Sequence, residues 1–169
     1  MPIIIMTTGA HKNEEAIGNL IDYMYSSSHL VYGSPFMVFS YNQKSVINSF
    51  KLVQEHFDGL DKKRIQHIII GFDNHEKVAD GMAWDIAEAA TMFLGNRFQC
   101  CYAVHHGSSD DPNYVHIHLA INPVSWLDGN RYYENDQNLY DLKGVLNNHT
   151  SGMYNWMTHR KKSRPWDIE

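Results

Sequence analysis

The sequence predicts an α+β domain in which an antiparallel β-sheet carries helices mainly on one face. Two observations predict it. Apolar, β-branched runs of strand length alternate with segments whose apolar residues recur at helical spacing. The last two such runs, 98–105 and 114–122, are separated only by the polar loop 106–113, as in an antiparallel hairpin. The 169 residues suffice for one domain with a core, and the reading takes 1–169 as that domain.

The elements come in order. Pro2 to Thr7 reads as a first strand. Asn13 is placed to cap a helix that opens with Glu14 and Glu15, and Ala16, Ile17, Leu20, Ile21 and Met24 form its apolar face. A polar loop from Ser26 to Ser34 and a short strand from Phe36 to Tyr41 are expected next. Val46, Phe50, Val53 and Phe57 predict a helix over 43–57, stopped by Asp58-Gly59. Ile65 to Phe72 is a strand. Ala79, Ala83, Ile86, Ala90 and Phe93 predict a helix ended by Gly95. After the hairpin and an Asp128-Gly129 turn, Arg131-Tyr132-Tyr133 reads as a short strand. From Leu139 onward the chain reads as helix, with a further helical piece at 153–157. The basic run 159–164 reads as a solvated helix end or tail.

The net charge of −5 argues against a broadly basic nucleic-acid surface. Eleven histidines and the basic run from His159 soften that objection. No apolar run approaches the roughly 20 residues needed to cross a bilayer, so no membrane insertion is expected. The run Pro2-Ile3-Ile4-Ile5-Met6 is too short for a signal peptide and lacks a basic flank, so the expected location is the cytoplasm. The vicinal Cys100 and Cys101 read as small buried hydrophobes in a reducing compartment.

The chemistry concentrates in the hairpin. On a strand over 114–122, Val115, Ile117, Leu119 and Ile121 point to the helix layer. Tyr114, His116, His118, Ala120 and Asn122 point the other way, onto a polar face. His116 and His118 therefore share a face. Pairing with the preceding strand brings His105 beside His116, and three imidazoles converge. Alternation favours His105 over His106, because a shift of one residue flips the side chain. Three protein ligands with open positions suit a catalytic metal. Asp110 and Asp111 are placed either to orient a ligand histidine or to form the turn. Trp126, Tyr132 and Tyr133, just beyond the hairpin, are candidates for stacking on unpaired bases.

Several segments resemble a known family. Tyr102-Ala103-Val104-His105, with His116-Ile117-His118-Leu119-Ala120-Ile121-Asn122 after the loop, resembles the histidine motif of the HUH endonucleases, as found in plasmid relaxases of the MOBP group. Leu20-Ile21-Asp22-Tyr23-Met24 resembles that group's first motif, and Gln66-His67-Ile68-Ile69-Ile70-Gly71-Phe72 its second. The run from Pro123 through Asp128-Gly129-Asn130-Arg131-Tyr132 is similar to the segment just past the histidines in that group. Two positions depart from the pattern. Gly71 stands where serine is usual, and Gly107 where an aspartate is usual after the first histidine.

The resemblance implies an HUH palm, a central antiparallel sheet flanked by helices. It implies Tyr23 as nucleophile, with Tyr25 and Tyr32 as substitutes, and His105, His116 and His118 as ligands, with His106 as the alternative third. It also implies DNA contacts around His67, Gly71, Trp126, Arg131 and Tyr132. His67 or the metal would help ionise the phenol. The implied activity is nicking and rejoining of single-stranded DNA at an origin of transfer through a 5′-phosphotyrosyl intermediate. The cofactor would be Mg²⁺ or Mn²⁺, with Zn²⁺ or Ni²⁺ as ions that imidazoles retain. Accessory mobilisation proteins are expected partners. Two alternatives share the fold: a rolling-circle replication initiator, whose tyrosine would be Tyr140 or Tyr154, and a non-catalytic DNA-binding module. A third is a metal-dependent hydrolase unrelated to DNA.

Overall fold

The computed structural model describes residues 1–9, 11–36 and 42–162. Six strands and four helices run in the order β1 (Ile3–Thr8), α1 (Glu15–Ser26), β2 (Leu30–Phe36), α2 (Gln43–His56), β3 (Gln66–Phe72), α3 (Asp80–Gly95), β4 (Phe98–His106), β5 (Val115–Ser125), α4 (Asp136–His149) and β6 (Met157–Lys162). They form one sheet in the order β2-β4-β5-β3-β1-β6. Every pairing is antiparallel except β1 with β6, which is parallel. The α+β architecture, with a largely antiparallel sheet between helices, is the palm that the sequence implies.

Helices cover both faces, not mainly one. Ile117, Leu119 and Ile121 of β5 pack with α3 and α4 through Ile86, Ala90, Leu139 and Leu142. Ala103 and Ala120 pack on the other side with Ile17, Leu20, Ile21 and Met24 of α1 and Phe50 of α2. Every residue of β3 and β5 is therefore buried. The face expected to be polar and open is roofed by α1 and α2, so its histidines sit in a dry environment. Asn122 fixes that roof: its amide donates to the Phe50 carbonyl at 3.1 Å and to Gln99 at 2.9 Å, and its oxygen accepts from Gln54 at 2.9 Å.

Several element ends depart from expectation. Glu14, not Asn13, is the residue before α1, and no side chain caps that end. Asn42 caps α2 by accepting from the Ser45 amide. Asp58 adopts the left-handed φ of 60° just after α2. Gly95 remains inside α3, which ends on Asn96 in right-handed geometry. Arg131 forms only an isolated bridge with Val124. Within the stretch read as a loop to Ser34, Leu30 to Ser34 belong to β2, whose register runs from Leu30 opposite His105 to Phe36 opposite Cys100. The strand expected at 36–41 overlaps β2 only at Phe36, and 37–41 lie outside the described residues. The piece expected as helix at 153–157 is irregular chain up to Trp156, and the expected basic tail is instead β6 from Met157 to Lys162, held by backbone pairing from Met157 opposite Ile3 to Lys162 opposite Thr8. Residues 163–169 lie outside the described residues. Cys100 and Cys101 are buried free thiols, as expected.

Candidate metal centre and nucleophile

The hairpin register places His105 opposite His116 and Ala103 opposite His118. His116 in turn lies opposite Gly71, and His118 opposite Ile69. Strand alternation then does what the sequence predicts. One ligand atom from each of His105, His116 and His118 lies within 4.8 Å of the others. Ring centroids are 4.5 Å apart for His105–His118, 4.8 Å for His116–His118 and 5.2 Å for His105–His116. All three side chains are fully buried. Among the described residues, this trio is the cluster whose ligand atoms could hold a metal ion.

The trio fits a metal ion by its chemistry. Nε2 of His118 has no hydrogen-bond partner among the described residues, and a neutral His116 likewise keeps one ring nitrogen as an open acceptor. Leaving such a buried acceptor unsatisfied costs about 1–3 kcal/mol, and a cation bound by their lone pairs removes that penalty. Two of the rings, His116 and His118, are held neutral by burial, as ligation requires. Burial, with the charges of His67, His116 and His105 behind it, pushes His118 well below the usual histidine range.

Neighbours fix each ring. His105 Nε2–H donates to the Met24 carbonyl at 2.8 Å, so Nδ1 keeps the lone pair. That carbonyl lies in the last turn of α1, where acceptors have no helical partner. His118 Nδ1 shares a 2.9 Å hydrogen bond with Nε2 of the fully buried His67, and the two rings stack at 20°. Tyr114 stacks on His116, with centroids 4.7 Å apart and planes at 17°.

Gly71 now has a physical reason. A Cβ there would lie 2.1 Å from the Tyr114 hydroxyl. A serine cannot coexist with that phenol in this position, so the departure at residue 71 and the ring supporting His116 are one feature.

Tyr23 projects from the last turns of α1 towards the trio. Its ring meets His118 edge-on at 5.3 Å and His105 at 6.1 Å. The next two residues pin the same turn to the sheet: Met24 through His105, and Tyr25 through its hydroxyl, which donates to the Tyr102 carbonyl at 2.9 Å. Tyr23 and His29 both line an open groove of about 330 Å³ on the solvent side. His29 also acts electrostatically on His116.

Other expected residues lie elsewhere. Tyr25 is turned to β4. Tyr32 packs on Trp84 and Tyr102, on the α3 side of the sheet. His106 points away from the trio, with Nδ1 2.8 Å from Asp80. Asp110 and Asp111 do not orient a ligand. Asp111 accepts from Asn74 and from the Asn113 amide, so turn chemistry explains it. Trp126 donates to the Gly95 carbonyl, Arg131 to the Lys63 carbonyl, and Tyr132 packs edge-on against Phe98. These three sit past the opposite end of β5, roughly 25–30 Å from His116 at the rise of a strand. Tyr140 is exposed on α4, and Tyr154 packs on Phe72 and Trp156 in the α3–α4 layer. Neither is on the histidine face. His29 is a neighbour of His116 that sequence reasoning missed, because nothing in a linear pattern marks its proximity. Alternation places Tyr114 on the face of His116, two residues away, but gives it no role; in the structure its ring stacks there.

Acid should destabilise the metal-free protein through these rings. Burial, then the neighbouring His105, lowers His116 to about 4, against about 6.5 for a free histidine. The unfolded chain then takes up a proton that the folded state refuses. The stability tied to His116 is intact above about pH 6.5, declines as the pH falls towards about 4, and changes no further below. Thermal melts in chelator across this window should show the decline, and His116→Gln should make it shallower. Equal slopes for parent and variant would count against a buried neutral imidazole.

No helix among the described residues is long and apolar enough to cross a membrane. Comparison with curated proteins finds no match. The family model described as "Relaxase: MobA/VirD2-like, nuclease domain" matches residues 30–151, which span β2 through α4 and hold all three histidines. Tyr23 lies upstream of the matched segment, so its assignment rests on the geometry of α1. With well over half of its length matched and the histidine trio inside the match, the chain belongs to the relaxase family of MobA/VirD2-like nuclease domains.

Proposed function

We propose that this relaxase domain nicks and rejoins one DNA strand at a defined site by transesterification onto Tyr23, in the mobilisation of a plasmid or similar element. One observation carries the reading: the Tyr23 phenol stands against two of three convergent buried imidazoles. His105, His116 and His118 would hold a divalent ion, which when bound supplies Lewis acidity towards the non-bridging oxygens of a phosphodiester. Mn²⁺ or Mg²⁺ is the working ion we favour, with Zn²⁺ or Ni²⁺ bound tightly by a set of three nitrogens.

The chain's own contribution is positioning. Three consecutive residues of α1 engage β4 and β5, so the nucleophile and the ligand cluster move as one body. The phenol oxygen attacks phosphorus, the bond to the 3′-oxygen breaks, and a 5′-phosphotyrosyl link and a free 3′-hydroxyl result. Phenolate is a good leaving group, so the hydroxyl can attack in return and the strand can be resealed. Neutral ligands leave the full charge of an ion to act on phosphate, where carboxylates would reduce it.

The substrate class is single-stranded DNA from an origin of transfer, with accessory mobilisation proteins as partners. The replication-initiator reading is disfavoured by the distance of Tyr140 and Tyr154 from the histidine face. Covalent capture tests the proposal. Protein incubated with origin-derived single strands and Mn²⁺ should yield an oligonucleotide adduct that peptide mass spectrometry maps to Tyr23. An adduct on Tyr140 or Tyr154 would make the chain an initiator. Product release with no adduct would point to a hydrolase.

A further inference from the structure

At the end of the sheet away from the metal centre lies a cavity of about 520 Å³ between the end of α3, the start of β4, the segment after β5 and the first turns of α4. Phe98 in its wall and His105 are seven residues apart on one strand, roughly 23 Å at the strand rise. Phe98 also belongs to the α3–α4 side of the sheet. The cavity is therefore no extension of the catalytic groove. Its size falls within the range of small-molecule sites.

The lining combines three kinds of group. Phe93 and Tyr133 offer exposed aromatic rings, with Tyr133 64% exposed, and Phe98 adds a third ring. Asn96, Asn138 and Asp141 offer amide and carboxylate groups. Arg97, half-exposed beside Asp128, brings a cation to the rim. Rings that cover a flat face, with polar groups to read its edge and a cation nearby, suit a base carrying a phosphate.

Tyr132 supplies an independent observation. It lines the same cavity, its ring is pinned edge-on against Phe98 at 5.3 Å, and it is only 9% exposed. Its hydroxyl has no hydrogen-bond partner among the described residues. Burial, and behind it the negative charge of Asp141, holds the phenol proton in place, so the group is a donor that lacks an acceptor. A buried unsatisfied hydroxyl is destabilising and rare in folded proteins. The hydroxyl is closed to water in this structure, so a ligand atom that accepts from it must first displace the side chains over it, and the bond gained would turn the penalty into binding selectivity.

We propose that this cavity is a nucleobase-binding site, which takes a base with exocyclic amino donors between its aromatic rings and pairs an acceptor of that base with the Tyr132 hydroxyl. The base belongs either to a free nucleotide or to a DNA strand that continues beyond the nick site. The proposal stands apart from the assignment of Tyr23 and the histidines.

The test titrates the full chain with dGMP, dAMP, dCMP and dTMP, and with single-stranded oligonucleotides of increasing length, read by intrinsic fluorescence and calorimetry. Two variants localise the response. Tyr133→Ala removes an exposed ring and should weaken binding about tenfold or more, the effect expected for losing one stacking face. Tyr132→Phe keeps the packed ring and removes only the hydroxyl. It should leave the melting temperature unchanged or raised while weakening binding several-fold. A merely structural tyrosine would not separate those readouts. Saturable mononucleotide binding with this pattern supports a free-nucleotide site. The same pattern seen only with oligonucleotides, and kept in Tyr23→Phe, supports a distal DNA contact. If no probe binds, if dTMP binds best, or if both variants bind like the parent, the proposal fails.

Discussion

Tyr23→Phe should abolish the covalent adduct and reduce strand cleavage by about a thousandfold or more, as expected when the nucleophile of a concerted site is removed. The substitution deletes one oxygen. The ring that meets His118 and His105 stays, as do the apolar contacts of the half-buried residue with the core around α1. The fold and the metal affinity should therefore change little, and the loss should fall on the chemical step. Gel detection of the adduct, together with metal titration of the same preparation, separates the two. Cleavage at the parental rate by Tyr23→Phe would remove Tyr23 from the mechanism.

Neighbouring tyrosines make useful controls because their hydroxyls serve other purposes. Tyr25→Phe deletes the bond to the Tyr102 carbonyl that pins α1 to β4. Tyr25 can approach only because residue 33 is glycine, where a Cβ would stand 2.5 Å from its ring. The α1 turn thus depends on a close approach in β2, and a defect in Tyr25→Phe should appear as looser positioning with the adduct still forming on Tyr23.

The histidine trio was legible because a strand writes its geometry into the sequence. Two histidines two apart share a face, and a hairpin with a short loop brings a third beside them. The helices were legible for a similar reason: Ile17, Leu20, Ile21 and Met24 form a stripe whatever they pack against. The elements that escaped lack a local signature. β2 contains Gly33 and Pro35, which read as turn residues, yet an edge strand tolerates both. β6 carries charged and polar side chains with no apolar alternation. It is a strand because its backbone pairs with β1 and because the buried Trp156 anchors the chain at its entry. The roof over the histidine face was hidden for a different reason. The sequence shows which residues share a face but not what covers them, and the burial of His116 and His118 comes from α1 and α2 docking on that side. The link from His67 to His118 joins residues of different strands, so no motif spacing reveals it, whereas Tyr114 was already on the face of His116 by alternation and only its stacking was hidden.

That long-range link leads to a graded expectation for metal binding. His118→Gln keeps bulk at the centre of the sheet but replaces an imidazole lone pair with an amide, a weaker donor for borderline ions. With two ligands left, affinity for Mn²⁺ or Zn²⁺ should drop by roughly a thousandfold or more, beyond the 10- to 100-fold typical of losing an outer partner. His67 is such a partner. When His118 presents Nε2 to an ion, its Nδ1–H must donate, and the acceptor is His67 Nε2 at 2.9 Å. The stacked rings leave His118 little freedom to rotate away. His67→Leu should therefore lower metal affinity by about 10- to 100-fold. His67→Gln, whose amide oxygen can accept the same proton, should recover part of the loss. Competition titrations with a chromophoric chelator measure all three variants without any DNA, and thermal melts in chelator show whether each still folds. If His67→Leu binds metal like the parent while His118→Gln does not, His67 is a packing residue only. If both bind like the parent, the trio is not the metal centre, and the charge that a phosphodiester cleavage needs must come from elsewhere in the domain.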